Sequence, residues 1–418
     1  NFHASIRTRA TWPGGKMRPR PVILNTWEGF YFNHDLSALK ELADAAAAVG
    51  IERFVLDDGW FSGRDDDTKA LGDWWPDHQK FRDGLGPLID HVTSKGMEFG
   101  LWVEPEMVNP DSDLFRAHPD WALRIAGRPL LTARNQLVLD MTNREVSDHI
   151  FASLDALLRA HQIAYLKWDH NRYLTTAGRP DGRACYQAQV HAVYALIDRL
   201  RAEHSQVEIE SCAGGGGRID AGILSRTHRV WVSDNIDPLS RLPMHDSYLQ
   251  FFPPEMMGAH VGATPSHCTG SSQHIDFRAA VALPGHFGVE LDLRSLGDAE
   301  HTRLTHWITR YKKWRDHIHG SEVWRGTGAD SLRWLAFGQA STWLLFVYRP
   351  DYQRLRHMPD LRLPFAQDGA RYAVSLLEPA ERALGSFDGG WLHNQGLPIP
   401  EMKVETARVY GLVRSAVQ

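Results

Sequence analysis

The chain has 418 residues, 46 Lys and Arg against 51 Asp and Glu for a net charge of −5, and 43% of it is hydrophobic. That balance describes a folded protein of one large domain with an appendage and excludes disorder or collagen-like repeats. No apolar run nears the ~20 residues of a membrane-spanning helix, and no polybasic cluster offers a grip on phosphate backbones, so neither a membrane nor nucleic acid is an expected partner.

Read in chain order, eight short apolar runs end in polar residues or glycine: 21–27, 53–57, 98–104, 164–169, 206–211, 229–234, 257–261 and 286–291. Stretches of helical spacing separate them, such as Leu36, Leu39, Ala43 and Ala46 ahead of Gly50, and Ile150, Leu154, Leu157 and Leu158 before the fourth run. Eight strand–helix units over ~300 residues predict an α/β fold, a (β/α)8 TIM barrel. Its longest insertions are expected at residues 61–87 and 108–141, in loops that follow strands and so build the active-site face. A closing helix is expected over 304–319. From 321 the pattern changes to alternating runs at 332–337, 342–348, 371–377 and 406–413. The expected domains are a barrel over 1–320 and a C-terminal antiparallel β-sandwich over 321–418.

Three cysteines, Cys185, Cys212 and Cys268, allow at most one bridge, which favours a reducing compartment, the cytoplasm. Position 1 is Asn and no signal-peptide core follows, so the numbering is expected to open inside a longer gene product. The 15 Trp often sit beside acids or glycines, as in Trp27-Glu28, Asp73-Trp74-Trp75 and Trp168-Asp169. Aromatic faces among acids suit sugar rings, although Trp also serves as core filler.

Several motifs place chemistry at strand ends. In 54–60, Asp57 and Asp58 would point to opposite faces of a regular strand, so both reach one pocket only if the strand ends there, which Gly59 permits. Paired acids could bind sugar hydroxyls or a metal; no His at ligand spacing supports the metal. In 102–106, Glu104 and Glu106 add two acids on one strand face. In 165–171, alternation puts Lys167, Asp169 and Asn171 on one face and Leu166, Trp168 and His170 on the other, which suits a nucleophile or substrate clamp; a structural salt bridge is the alternative. The glycines of 214–217 fit neither dinucleotide nor P-loop spacing and are read as close backbone approach to ligand, with Cys212 on the pocket. Asp234, ending 229–234, could donate a proton or cap the next helix. Spacing alone leaves the acids competing for roles.

The ordered strings LDDGWF (56–61), GDWW (72–75), GLWVEPEMVN (100–109), RNQLVLD (134–140), KWDHN (167–171), ESCAGGGGRID (210–220) and WVSDN (231–235) closely resemble the α-galactosidases of glycoside hydrolase family 36. The resemblance covers about residues 9–320. It implies a retaining double displacement with Asp169 as nucleophile and Asp234 as general acid/base, and no metal or other cofactor. It further implies that Asp57 and Asp58 bind the hydroxyls that distinguish galactose, with Trp27, Trp74, Arg134, Lys167, Asn171, Cys212, Gly215 and Trp231 completing the pocket. Expected substrates are α-galactosides of the melibiose and raffinose type. Transfer to another sugar and action on α-N-acetylgalactosaminides are close variants, and a Schiff-base lyase using Lys167 or a non-catalytic sugar-binding barrel are distant ones. The family commonly carries a β-sandwich domain ahead of the barrel, which these residues do not include, and the full-length protein is expected to be a homo-oligomer.

Overall fold

The computed structural model describes residues 2–355 and 357–415; residues 416–418 of the expected C-terminal unit lie outside the described residues. The eight apolar runs are eight parallel strands: β1 (Ile23–Asn25), β2 (Arg53–Leu56), β3 (Glu98–Val103), β4 (Ile163–Trp168), β5 (Glu208–Ser211), β6 (Arg229–Trp231), β7 (Met257–Gly262) and β8 (His286–Glu290). They close into a barrel in which each strand pairs with its neighbours in sequence and β8 returns to β1. Each is followed by a helix: α1 (Leu36–Val49), α2 (Gly86–Ser94), α3 (Arg144–Ala160), α4 (Tyr186–Glu203), the single turn α5 (Ala221–Leu224), α6 (Pro238–Tyr248), α7 (Ile275–Ala282) and α8 (Asp298–Gly320). Helix α1 shows why these segments fold as they do. Its alanine-rich run has high helix propensity, Asp35 caps it by accepting from the Ala38 N–H, and Gly50 stops it at φ 94°. Leu39, Leu42, Ala43, Ala46 and Val49 form its buried stripe.

The barrel interior is layered. Ile23, Val55 and Tyr165 pack at the middle, where a side chain at Gly100 would meet Val55 and Tyr165 at 3.0 Å. Below them Glu208 accepts from Arg20 at 3.0 Å and Arg53 at 2.9 Å. Above them, at the carboxyl ends of the strands, the interior opens into a cavity. The two long insertions stand over that end. Residues 107–108 and 137–138 pair as a two-stranded ribbon, and Asp73 ties the other insertion to it by accepting from the N–H groups of Asp113 and Leu114 at 2.8 and 2.9 Å.

Helix α8 starts six residues earlier than expected, with Asp298 and Glu300 in its first turn, where acids favour the helix dipole. It ends at Gly320, and antiparallel strands follow: β9 (Glu322–Thr327), β10 (Arg333–Gln339), β11 (Thr342–Arg349), β12 (Arg371–Glu378), β13 (Arg382–Asp388) and β14 (Thr406–Ser415). They lie in a single sheet ordered β9-β10-β11-β14-β12-β13, where a two-sheet sandwich was expected. One face, with Phe337, Leu344, Phe346 and Val409, joins the core of the barrel. The other is covered not by a second sheet but by two stretches of chain, 361–365 and 389–397, which bring Leu361, Leu363, Phe365, Leu392 and Leu397 onto it. Between β13 and β14, Asp388 caps a short helix, Gly389–Asn394, by accepting from the Trp391 N–H.

Candidate active site

A cavity opens at the barrel mouth. Trp27, Phe32, Asp57, Asp58, Asp67, Trp102, Arg134, Lys167, Asp169, Asn171, Trp231, Asp234 and Glu290 line it. The alternation read in 165–171 persists past the end of β4: Lys167, Asp169 and Asn171 face the cavity. The opposite face binds Glu106, which accepts from Trp168 Nε1 at 2.8 Å, His170 Nδ1 at 3.2 Å and Arg218 Nη1 at 2.7 Å.

Asp169 is held by several protein donors. Its Oδ2 accepts from Trp102 Nε1 at 3.1 Å and Asn171 Nδ2 at 2.8 Å, and its Oδ1 accepts from the His170 N–H at 2.8 Å. Burial lifts its proton affinity, but the Lys167 charge, the Cys212 thiol, Asn171 and the His170 N–H outweigh burial and hold the carboxyl below its ordinary range. Asp234 differs. It stands in the loop past β6, open to the cavity mouth, and its Oδ1 has one side-chain donor, Trp231 Nε1 at 2.9 Å. Burial on its inner side and then the charge of Asp169 push its carboxyl up, against Lys167, Trp231 and Arg134. The helix-cap alternative falls to Asp237, which accepts from the Ser240 N–H.

Strand β2 ends at Leu56, and Gly59 turns the chain at φ 118°, so Asp57 and Asp58 both reach the cavity. Asp57 Oδ2 accepts from Lys167 Nζ at 2.7 Å and Asn25 Nδ2 at 2.6 Å. Asp58 takes a two-pronged contact from Arg64, Nε at 2.9 Å and Nη2 at 2.8 Å. Burial opposes the Lys167 charge, yet Asp57 and then Asp169 hold the ammonium well above its ordinary value. A lysine locked as its ammonium is no amine nucleophile, which removes the basis for Schiff-base chemistry.

Three expected pocket residues take other positions. Cys212 does not line the cavity; it is 1% exposed, and its thiol, pushed well up by burial and then by Asp169, remains protonated and supports Asp169 from behind. Gly215 approaches protein, not ligand: at φ 83°, a side chain there would lie 2.8 Å from the Ser233 Cα and 3.2 Å from the Asp234 nitrogen. Trp74 is buried behind the wall, its ring 6.3 Å from that of Trp102 and 4.8 Å from that of Phe61. Glu104 and Glu106 diverge because β3 ends at Val103. Glu104, lifted to about 8 by burial and then by Asp169, is fully buried beneath Asn171, whose N–H it accepts.

Phe32, Asp67, Trp102 and Glu290 line the cavity without having been singled out. Trp102 and Glu290 carried the available signal, since a polar or aromatic side chain at the carboxyl end of a barrel strand faces the mouth. Arg241 of α6 gave none. Its guanidinium donates to the carbonyls of Ser233 and Asn235 and so grips the loop on both sides of Asp234. Among the described residues, no group of three or more His, Cys, Asp or Glu is arranged to hold a metal ion, and no helix is long and apolar enough to cross a membrane.

A closed parallel barrel with a C-terminal antiparallel sheet, bearing carboxyls of opposed proton affinity at its strand ends, defines the class: a barrel protein equipped for paired-acid chemistry. Residues 1–320 match the family described as Melibiase, and the chain belongs to that family. It is 43% identical to an alpha-galactosidase of Escherichia coli over 99% of this chain and 61% of that protein. It is 40% identical to the alpha-galactosidase AgaA of Geobacillus stearothermophilus over 96% of this chain and 55% of that one. The chain thus spans roughly three-fifths or less of these relatives. The solved structure of AgaA, a family 36 alpha-galactosidase, superposes with a TM-score of 0.92 at 34% identity, covering 99% of this chain and 58% of that one. An AgaA variant solved in complex with raffinose gives 0.93 at 33% identity, covering 99% and 58%. The resemblance to family 36 read from the motifs is borne out.

Proposed function

We propose that the chain is a retaining α-galactosidase, with residues 1–320 as its catalytic barrel and 321–418 as a covering unit. It removes terminal α-galactosyl residues from melibiose- and raffinose-type galactosides. One observation carries the reading: on a single cavity, Asp169 is held toward its ionised form while Asp234 is pushed toward its protonated one. Asp169 attacks the anomeric carbon as the glycosidic bond breaks, and Asp234 gives its proton to the departing oxygen. Water then cleaves the galactosyl ester on Asp169, passing a proton back to Asp234. Asp57 and Asp58, fixed by Lys167 and Arg64, accept from sugar hydroxyls, and Trp27, Arg134, Asn171 and Trp231 complete the wall. Cys212 serves through Asp169, Gly215 through the Asp234 loop and Trp74 by backing Trp102. The names of the relatives and the raffinose complex of AgaA support the substrate class. Three free thiols support a reducing compartment, the cytoplasm, and assembly as a homo-oligomer belongs to the same reading.

The test is exposure of the chain to a 2-fluoro-galactosyl inactivator, followed by intact mass and peptide mapping. One covalent sugar on Asp169 is expected, absent from Asp169→Asn. An adduct elsewhere, or no release of nitrophenol from 4-nitrophenyl α-galactoside, sinks the reading. The N-acetylgalactosaminyl substrate in the same assay, and product analysis with added acceptor sugar, separate the two close variants.

A further inference from the structure

Glu290 ends β8 on the cavity wall, beside Asp57, Lys167, Trp231 and Asp234, and has no part in the displacement above. Its neighbours fix which oxygen is free. Arg229 Nη2 lies 2.8 Å from His260 Nε2. A guanidinium only donates, so Nε2 is the acceptor and the imidazole proton sits on Nδ1. That Nδ1–H donates to Glu290 Oε2 at 2.7 Å. Burial, then Arg229, Arg241 and Lys167, keep His260 neutral. Oε2 is therefore occupied, while Oε1 has no hydrogen bond to another of the described residues, and Glu290 lines the cavity.

Hydrogen-bond supply in the wall makes that oxygen informative. A sugar hydroxyl donates one hydrogen and accepts up to two. Carboxyls are abundant here, and one hydrogen each of Lys167, Trp102, Asn171 and Trp231 is already given to them, which leaves Arg134, the other N–H groups of Lys167 and Asn171 and any protonated acid to donate. A bound sugar needs donors that are still free. We infer that Glu290 is a further substrate-contacting, specificity-determining residue, an undissociated carboxylic acid whose Oε1–H donates to one hydroxyl of the bound sugar. The inference rests on the galactosidase reading and adds a residue to that site.

The charges around Glu290 favour the acid form. Facing it are Glu28 from the segment after β1, Asp57 after β2, Lys167 of β4, Asp234 after β6, Arg241 of α6 and neutral His260 of β7. Burial pushes the carboxyl up, Lys167 pulls it down, and Glu28, Asp57 and Asp234 push it up again, leaving it well above the ordinary range.

Two variants test this on the full chain. Glu290→Gln keeps an oxygen for the His260 N–H and a donor for the sugar; Glu290→Leu keeps the volume and removes the donor. With 4-nitrophenyl α-galactoside, Glu290→Gln is expected within about threefold of wild type and Glu290→Leu about 10- to 100-fold lower in kcat/KM, the loss expected when a buried polar partner is left unpaired. Against the monodeoxy galactosides, wild type and Glu290→Gln are penalised at one position to which Glu290→Leu is indifferent. A Glu290→Gln variant as impaired as Glu290→Leu would mean an ionised acceptor and overturn the inference. So would a Glu290→Leu loss equal on every analogue, which marks a structural role. If Glu290→Leu fails to fold, infrared difference spectra on galactose binding decide. A protonated-carboxyl carbonyl band that shifts in wild type and is missing in Glu290→Gln supports the assignment, and its absence from wild type overturns it. A wild-type chain that releases no nitrophenol defeats the galactosidase reading and the inference together. Turnover by wild type with the wrong variant pattern defeats the inference alone.

Discussion

Gly215→Ala should impair proton delivery without touching the sugar. Two costs can be worked from the geometry. The residue sits at φ 83°, where an L-residue carries a penalty of about 1–2 kcal/mol. The added methyl would also lie 2.8 Å from the Ser233 Cα. Carbon contacts relax at about 3.5–4.0 Å, so one of the two segments must yield by roughly 1 Å. The loop bearing Asp234 is gripped from its other side by Arg241, which leaves it little room to retreat intact. A misplacement of that size can cost about 100-fold in a catalytic step. The cost should depend on the leaving group, because a nitrophenolate departs with little help from an acid whereas the alkoxide of raffinose does not. The assay is kcat/KM on 4-nitrophenyl α-galactoside and on raffinose, beside thermal unfolding. Gly214→Ala is the control: at φ 53° it carries the same backbone penalty, but its methyl meets only Asn171 Oδ1, at 3.7 Å. Both variants should lose stability through the backbone penalty, Gly215→Ala more because of its clash, and Gly215→Ala alone should lose about 10- to 100-fold more on raffinose than on the nitrophenyl substrate. Equal losses on both substrates, or the same pattern in Gly214→Ala, would refute the argument.

Other expectations follow from the same charges. Lys167→Met leaves Asp57, 2% exposed, without its cation; a loss of about 3–5 kcal/mol in urea unfolding is expected, with partial recovery in Lys167→Met/Asp57→Asn. Asp234 acts in its protonated form, so raffinose turnover should fall as pH rises through its elevated pKa. Glu28, lifted to about 7 by burial and sharing its field with Asp234, adds a repelling charge as it ionises, so Glu28→Gln should move that alkaline limb to lower pH in a kcat/KM profile. Glu104 keeps its proton in the folded protein up to about 8, whereas the unfolded chain releases it near the ordinary value of 4.5. The folded state therefore binds the extra proton between those values, and wild-type stability should decline with pH there. Glu104→Gln should show a flatter stability profile, and an unchanged slope would show that Glu104 does not hold that proton.

The barrel strands were legible because each is a short apolar run that stops at a polar residue, and closure turns that stop into the mouth of a cavity. Lys167, Asp169 and Asn171 were legible for the same reason, since alternation carries past Trp168. Strands β9 and β13 were not read. Both are edge strands: β9 carries the apolar Trp324 on its exposed side and β13 is exposed at most positions, so the sequence of neither alternates apolar with polar residues. Cys212 and Gly215 were placed at the right site with the wrong contact. A motif string records that small residues are needed but not whether ligand or protein fills the space beside them. Glu104 and Glu106 looked equivalent at spacing two, which holds only while a strand lasts, and β3 stops one residue too soon.

What separates Asp169 from Asp234 is the supply of donors, and that supply is set by distance along the strand. Asp169 directly follows β4, where the backbone is still held by the barrel: its own N–H bonds to the Val103 carbonyl. Trp102 on β3, Cys212 after β5 and Asn171 two residues on therefore converge on it, with Lys167 one layer below. Asp234 lies three residues beyond β6, in a loop fixed through its backbone by Arg241 and Gly215, and its carboxyl gets a single indole N–H. Each donor lost and each carboxylate gained raises proton affinity. The acid that ends its strand is thus the ionised one, and the acid that overshoots its strand keeps its proton. Exchanging their roles would require moving backbone, not side chains. Asp234→Asn with Asp169 intact should therefore leave formation of the galactosyl ester from 4-nitrophenyl α-galactoside observable as a burst, whereas Asp169→Asn should abolish the burst even though Asp234 retains a carboxyl in the same cavity.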